Sequence, residues 1–234
     1  MEFFSIPESV RGFVFDIDHT LYTNEEYGRH QTRVLIESLA RERGEDRETT
    51  ETVVNEYRSE FARKNGGRTP SLGNTFLALG ISIETSVRWR EENIRPERYL
   101  GRNDELATAL ERLAREYGCV AVTNNPSEVG RRTLRAIGLQ AFFIDVIGLD
   151  RSGVSKPSPR PFELASSVLG VDAGCIVSVG DRFEVDIEPA LAVGMGGVLV
   201  TGVDDTVATI AYFLTRMGSA PISSDPNAVE DSEQ

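Results

Sequence analysis

Gly12-Phe13-Val14-Phe15-Asp16-Ile17-Asp18-His19-Thr20 is the stretch from which the chain is read most directly. Its first four residues are small or apolar, and they end abruptly at a carboxylate. A run this short, apolar on both faces and bounded by polar residues, reads as a parallel strand covered on both sides. Cys119-Val120-Ala121-Val122 ends the same way in Thr123. Cys175-Ile176-Val177-Ser178-Val179 ends in Gly180-Asp181, and Gly197-Val198-Leu199-Val200 in Thr201. Helical patterns separate these runs, from Asp104 to Tyr117, Pro126 to Ile137, Pro159 to Leu169, Glu184 to Ala192 and Asp205 to Arg216. Pro126 and Pro159 suit a first helical turn, and Gly118, Gly138 and Gly170 suit helix exits. The alternation predicts an α/β fold with a doubly wound parallel sheet.

Residues 22–98 break that alternation. Helical segments run from Glu25 to Arg43, from Arg47 to Lys64, near Ser71 to Leu79 and near Glu84 to Glu92, without a convincing strand between them. An insertion directly after the first strand reads as a separate helical cap domain over 22–98, a candidate lid. Residues 1–21 and 99–218 then form the core domain, and 219–234, with Pro221, Pro226 and an acidic end, read as a disordered tail. Arg68, Ser71, Asn74 and Thr75 fall in a Gly- and Pro-marked turn between cap helices, which either reaches into the site or is a solvent-exposed connection.

The 234 residues are 26% charged and 40% hydrophobic, the balance of a globular protein, with a formal net charge of -12 and a pI near 4.8. Such a surface repels nucleic acid and anionic membrane, so neither is expected as a partner. It repels anionic substrates too, unless a cation offsets it locally. Only Lys64 and Lys156 of the 25 basic residues are lysines, which draws attention to where they sit. Cys119 and Cys175 lack metal-type spacing and are expected as buried free thiols. The start of the chain shows no basic region followed by a long apolar run, and the expected location is cytoplasmic.

Chemistry gathers where the strands end, because open α/β sheets bind ligands at the carboxyl edge beside a topological switch point. Asp16 and Asp18, two apart, are expected to project to the same side. Crowded carboxylates repel one another, and Mg2+ relieves the repulsion. Taken alone, Asp18 reads equally as a turn or capping residue. Thr123-Asn124-Asn125 offers a hydroxyl and exposed amides, an anion-binding corner or simply a turn. Lys156, braced between Ser155 and Pro157, either balances a carboxylate and a phosphate or is an exposed loop lysine. Asp181 and Asp186 complete a metal site, or Asp181 caps the following helix. These residues are expected at four consecutive strand ends on one edge.

In that order the residues resemble the four motifs of the haloacid dehalogenase superfamily: Asp16-Ile17-Asp18-His19-Thr20, then Thr123, then Lys156, then Gly180-Asp181 with Asp186. The similarity covers nearly the whole chain except the tail, and the opening also resembles pyrimidine 5′-nucleotidase-like members; phosphoglycolate phosphatase-like members share the cap class. The resemblance implies a Rossmann-like core with the first-motif strand in the middle and a helical cap. It implies a Mg2+-dependent phosphatase of a small phosphorylated metabolite, a nucleoside monophosphate or phosphoglycolate among the candidates. Asp16 would be the nucleophile of an aspartyl-phosphate pathway and Asp18 the acid/base. Thr123 and the Asn124 amide would hold phosphoryl oxygens, with Asn125 also placed at the substrate. Lys156 would neutralise Asp16 and the transferring group. Thr20 would brace the Asp18 turn at the substrate side, and His19 is structural or substrate-adjacent. Mg2+ would be held by Asp16, the carbonyl of Asp18 and Asp181, with Asp186 direct or through water. A monomer or homodimer is expected.

Three rivals stand beside this reading. A dehalogenase attacks carbon, needs no metal and has no use for Asp18. A phosphoglucomutase-like transfer uses the same core and acid/base. A phospho-accepting signalling domain also uses Asp, Thr, Lys and Mg2+, but its phosphorylated Asp comes later than its acidic pair and it needs about half this length.

Overall fold

The computed structural model describes residues 1–217, and the tail expected at 219–234 lies outside them. In chain order the elements begin with β1 (Glu2–Phe4) and β2 (Gly12–Phe15), then α1 (Glu25–Arg43), α2 (Arg47–Lys64), α3 (Leu72–Ala78) and α4 (Ile83–Asn93). Next come α5 (Asp104–Glu116), β3 (Gly118–Val122), α6 (Ser127–Ala136), β4 (Asp145–Ile147), α7 (Leu149–Ser152) and α8 (Arg160–Leu169). The chain continues with β5 (Ile176–Gly180), α9 (Glu188–Ala192), β6 (Gly196–Leu199) and α10 (Val203–Met217).

The six strands form one sheet in the order β1-β6-β5-β2-β3-β4, parallel throughout except for β1, which pairs antiparallel with β6. β2 lies between β5 and β3, with Phe15 level with both Val179 and Ala121. The chain winds outward from β2 through β3 to β4, then returns to β5 and winds the other way. This reversal places the switch point between β2 and β5. Side chains alternate across the sheet: Phe13, Phe15, Cys119, Ala121, Val177 and Val179 share one apolar cluster with α5, α6 and α10. Val14, Val120, Val122 and Ile176 share another with Phe162 and Ala165 of α8 and Ala190 of α9. That period of two, buried on both faces, is why the strands read as unbroken apolar runs.

Two strands were not anticipated. β1 and β4 are three residues long and lie at the sheet edges, too short for alternation to register, and β1 makes the sheet mixed rather than wholly parallel. The helix expected over Glu184–Ala192 opens with a π turn, Phe183–Ile187, before α9 begins. Cys119 is buried as expected, whereas Cys175 is only partly so.

Helices α1–α4 intervene between β2 and β3 and enclose their own apolar cluster of Leu35, Leu39, Val54, Phe76 and Trp89. Their ends follow local rules. Asn24, Asp46, Ser71 and Ser82 each accept a hydrogen bond from a backbone N–H of the first turn. Gly44 ends α1 in the left-handed conformation, with φ of 67°. Among the described residues no helix is long and apolar enough to cross a membrane.

Candidate active site

Three carboxylates meet at the switch point. Asp16 follows β2 and is held there by its N–H, which donates to the Val179 carbonyl at 2.9 Å. Asp181 follows β5, and Asp186 comes from the π turn. One oxygen from each lies within 4.8 Å of the others. Asp186 can approach this closely because Gly180 has no side chain; a Cβ there would sit 2.3 Å from the Asp186 Cβ. The π turn fixes the same residue, with its N–H donating to the Arg182 carbonyl at 2.8 Å. The Asp186 carboxylate in turn accepts from the Arg182 N–H at 3.1 Å, and its carbonyl accepts from the Ser178 hydroxyl at 2.9 Å.

Lys156 enters from the side. Its ammonium donates to Asp16 Oδ1 and Asp186 Oδ1, both at 2.6 Å, and to the Val122 carbonyl at 3.1 Å. All three charged side chains are almost wholly buried, Lys156 at 1% exposure, Asp186 at 1% and Asp16 at 4%. Burial acts to lower the Lys156 pKa, but Asp16 and Asp186 outweigh it and hold the pKa above its ordinary value. Lys156 does not lie at a strand end, contrary to the expectation of four consecutive ends. It sits in the loop between α7 and α8, and Asn124 ties that loop to the end of β3. The Asn124 side chain accepts from the Lys156 N–H at 2.7 Å and donates to the Lys156 carbonyl at 3.2 Å.

The charges do not balance. Asp16 Oδ2 and Asp181 Oδ1 are buried without a hydrogen-bond partner among the described residues. Burial, then the charges of Asp16 and Asp186, push the Asp181 pKa up to about 7. A buried carboxylate oxygen without a donor is costly, and a hard, oxygen-seeking cation offsets both deficits. The all-oxygen donor set therefore fits Mg2+.

Asp18 stands outside this cluster. The chain has already left β2 at Asp16, so strand alternation does not govern the step from Asp16 to Asp18. His19 adopts a left-handed φ of 59°, and the Leu21 N–H closes the turn on the Ile17 carbonyl at 3.0 Å. The Asp18 carboxylate accepts hydrogen bonds from the Tyr22 hydroxyl, from Gln31 Nε2 at 2.9 Å and from Asn125 Nδ2 at 3.3 Å. Burial first, then the charge of Asp18, raise the Tyr22 pKa well above its ordinary value, so its hydroxyl remains a donor.

Thr123 is buried and its hydroxyl accepts from the Asn125 N–H at 3.1 Å. Thr20 is not brought to the substrate side. It is fully buried beneath the turn; its carbonyl accepts from the Thr206 hydroxyl of α10 at 2.8 Å, and its own hydroxyl has no partner among the described residues. Bracing of Asp18 falls instead to Tyr22, Gln31 and Asn125.

A cavity of about 990 Å³ lies between these residues and α1–α4. Asp18, His19, Asn124, Asn125, Lys156 and Asp181 line it from the sheet side. Arg68, Ser71 and Asn74, from the turn singled out in the sequence, line it from the other, whereas Thr75 is buried within α3. Arg68 reaches across to pair with Glu188 of α9 at 3.0 Å. Gln31, Arg58 and Arg90 also line the cavity. Sequence reasoning passed over them because each sits inside a helix with no local pattern to mark it.

A family model described as haloacid dehalogenase-like hydrolase matches residues 10–194. The chain belongs to that family. It is 29% identical over 200 residues to a glyceraldehyde 3-phosphate phosphatase of Methanopyrus kandleri, covering 80% of this chain and 82% of that one. It is 38% identical over 82 residues to a phosphoglycolate phosphatase of Neisseria gonorrhoeae, covering 35% and 34%. The fold is similar to a solved haloacid dehalogenase-type phosphatase from Thermococcus onnurineus, with a TM-score of 0.54, 23% identity and coverage of 88% and 98%. The enzyme takes its place among the phosphatases of the family.

Proposed function

We propose that the enzyme is a Mg2+-dependent phosphatase that hydrolyses a small phosphorylated metabolite through a phosphoryl group carried on Asp16. The observation that carries this reading is the pair of buried, unpartnered oxygens on Asp16 and Asp181 beside a lysine already committed to Asp16. Asp16, Asp181 and the Asp18 carbonyl would hold Mg2+, with Asp186, already bonded to Lys156 and Arg182, as support. When bound, Mg2+ supplies positive charge against which the phosphoryl group and Asp16 approach one another.

Asp16 attacks phosphorus and the bond to the leaving oxygen breaks, leaving the phosphoryl group on the carboxylate. Asp18 gives a proton to the leaving oxygen. Water then loses a proton to Asp18 and attacks phosphorus, which breaks the Asp16 bond and releases inorganic phosphate. Lys156 keeps Asp16 in place and offsets charge throughout. The Thr123 hydroxyl and the Asn124 and Asn125 region form the corner for phosphoryl oxygens, and residues 22–98 form a cap over the cavity. Named relatives act on glyceraldehyde 3-phosphate and phosphoglycolate, which supports a small substrate of that kind.

The test is a screen of phosphorylated metabolites and an aryl phosphate with Mg2+, Mn2+ and Co2+. Hydrolysis that disappears in EDTA is expected. Asp16→Asn should fall by at least about 10³-fold while its circular dichroism is unchanged. Wild-type protein inert on every compound with every metal would sink the reading, and an active Asp16→Asn would remove Asp16 as nucleophile.

A further inference from the structure

Two guanidinium groups that line the cavity are without a directly paired carboxylate among the described residues. Acidic residues outnumber basic ones in this chain, 37 to 25, so a buried arginine left without a carboxylate is not explained by scarcity. Arg182 lies near Asp181 and Asp186, at 3.8 and 4.0 Å, and Arg68 pairs with Glu188. Arg58 and Arg90 take part in no ion pair among the described residues. Arg58 Nε is buried with no hydrogen-bond partner among the described residues. Arg90 is 3% exposed, and its Nη1 is used on the Ser86 carbonyl at 3.0 Å and the Ser86 hydroxyl.

Arg90 Nη2 faces the backbone of Gly73, where a side chain would not fit. A Cβ on Gly73 would lie 3.8 Å from Arg90 Nη2, 3.7 Å from the Ser71 hydroxyl oxygen and 2.9 Å from that of Ser155. A guanidinium and two hydroxyls thus converge where the backbone carries no side chain. Arg58 stands close enough to Arg182 for their charges to repel, and Arg90 close enough to Asp18 for theirs to attract. Asp18, Asp181 and Glu184 also line the cavity, but the first two belong to the reacting end. A buried guanidinium is costly unless an anion satisfies it, and its forked donors match a carboxylate or phosphate.

We propose that Arg58 and Arg90 form a second anion subsite, so that the substrate is a phosphomonoester carrying a further carboxylate or phosphate. This rests on the phosphatase reading only for which end of the substrate reacts. Calorimetry in excess MgCl2 would compare ethylphosphonate, phosphonoacetate and 1,2-ethylenediphosphonate as non-hydrolysable probes. One or both doubly anionic probes should bind at least about tenfold tighter than ethylphosphonate. A gain confined to phosphonoacetate identifies the second group as a carboxylate; a gain confined to the diphosphonate identifies a phosphate. Arg58→Gln, on a half-buried helix face, should lose most of that gain. Arg90→Lys, which keeps the charge but loses the fork, should lose it too. Equal affinity for all three probes, or the full gain retained in Arg58→Gln, overturns the subsite. A wild-type preference without turnover of any phosphomonoester would leave the subsite standing and remove the phosphatase reading instead.

Discussion

Lys156 shows how much one side chain carries here. Its ammonium is the hydrogen-bond partner of two buried carboxylates, and its removal leaves Asp16 without its side-chain donor and Asp186 with only Arg182 beside it. Breaking a buried pair by deleting one partner costs on the order of 3–5 kcal/mol. Lys156→Met is therefore expected to lower unfolding stability by about that amount in EDTA, measured by urea denaturation, and to abolish turnover. Unchanged stability would mean that Asp16 and Asp186 are not held as charged groups. At the same scale, Gly180 and Asn124 are more than turn residues: one makes room for Asp186, the other fastens the lysine loop to β3.

At the scale of elements, the reacting groups and the cavity roof belong to different packing units. β2, β3 and β5 are buried on both faces, whereas α1–α4 have their own cluster around Phe76 and Trp89. Phe76 is fully buried in that cluster, edge-on to Trp89 at 6.1 Å. Phe76→Ala should cost about 3–5 kcal/mol, and the loss should appear first in α1–α4. Hydrogen exchange should then quicken across residues 25–93 while the β2, β3 and β5 amides stay protected. Uniform loss of protection across the sheet would argue against an independent helical cap.

For the molecule as a whole, the uncompensated acids link folding, pH and metal. The folded pKa of Asp181, about 7, lies above its ordinary 3.8. The unfolded chain therefore binds fewer protons than the folded one between those values, and stability falls as pH rises through 7. In EDTA the protein should melt at higher temperature at pH 6 than at pH 8. Mg2+ held as proposed would bind the folded state in competition with the proton, so the gain in melting temperature from MgCl2 should grow from pH 6 to pH 8. A gain independent of pH would place the cation elsewhere.

The strand-forming runs, the helix boundaries and the order of Asp16, Thr123, Lys156 and Asp181 were legible in the sequence, because they depend on local periodicity, capping and breaks in apolar runs. α1 and α2 begin and end where their caps and charges place them. The short edge strands and the π turn were not legible, since three residues carry no period and a π turn no composition. Only the tertiary structure decided that Asp18 is held by Gln31 and Asn125, that Thr20 turns inward, that Lys156 arrives from a loop, and that Arg58 and Arg90 meet the cavity. Each of those depends on contacts between residues far apart in the chain, where neighbouring sequence sets no direction for the side chain.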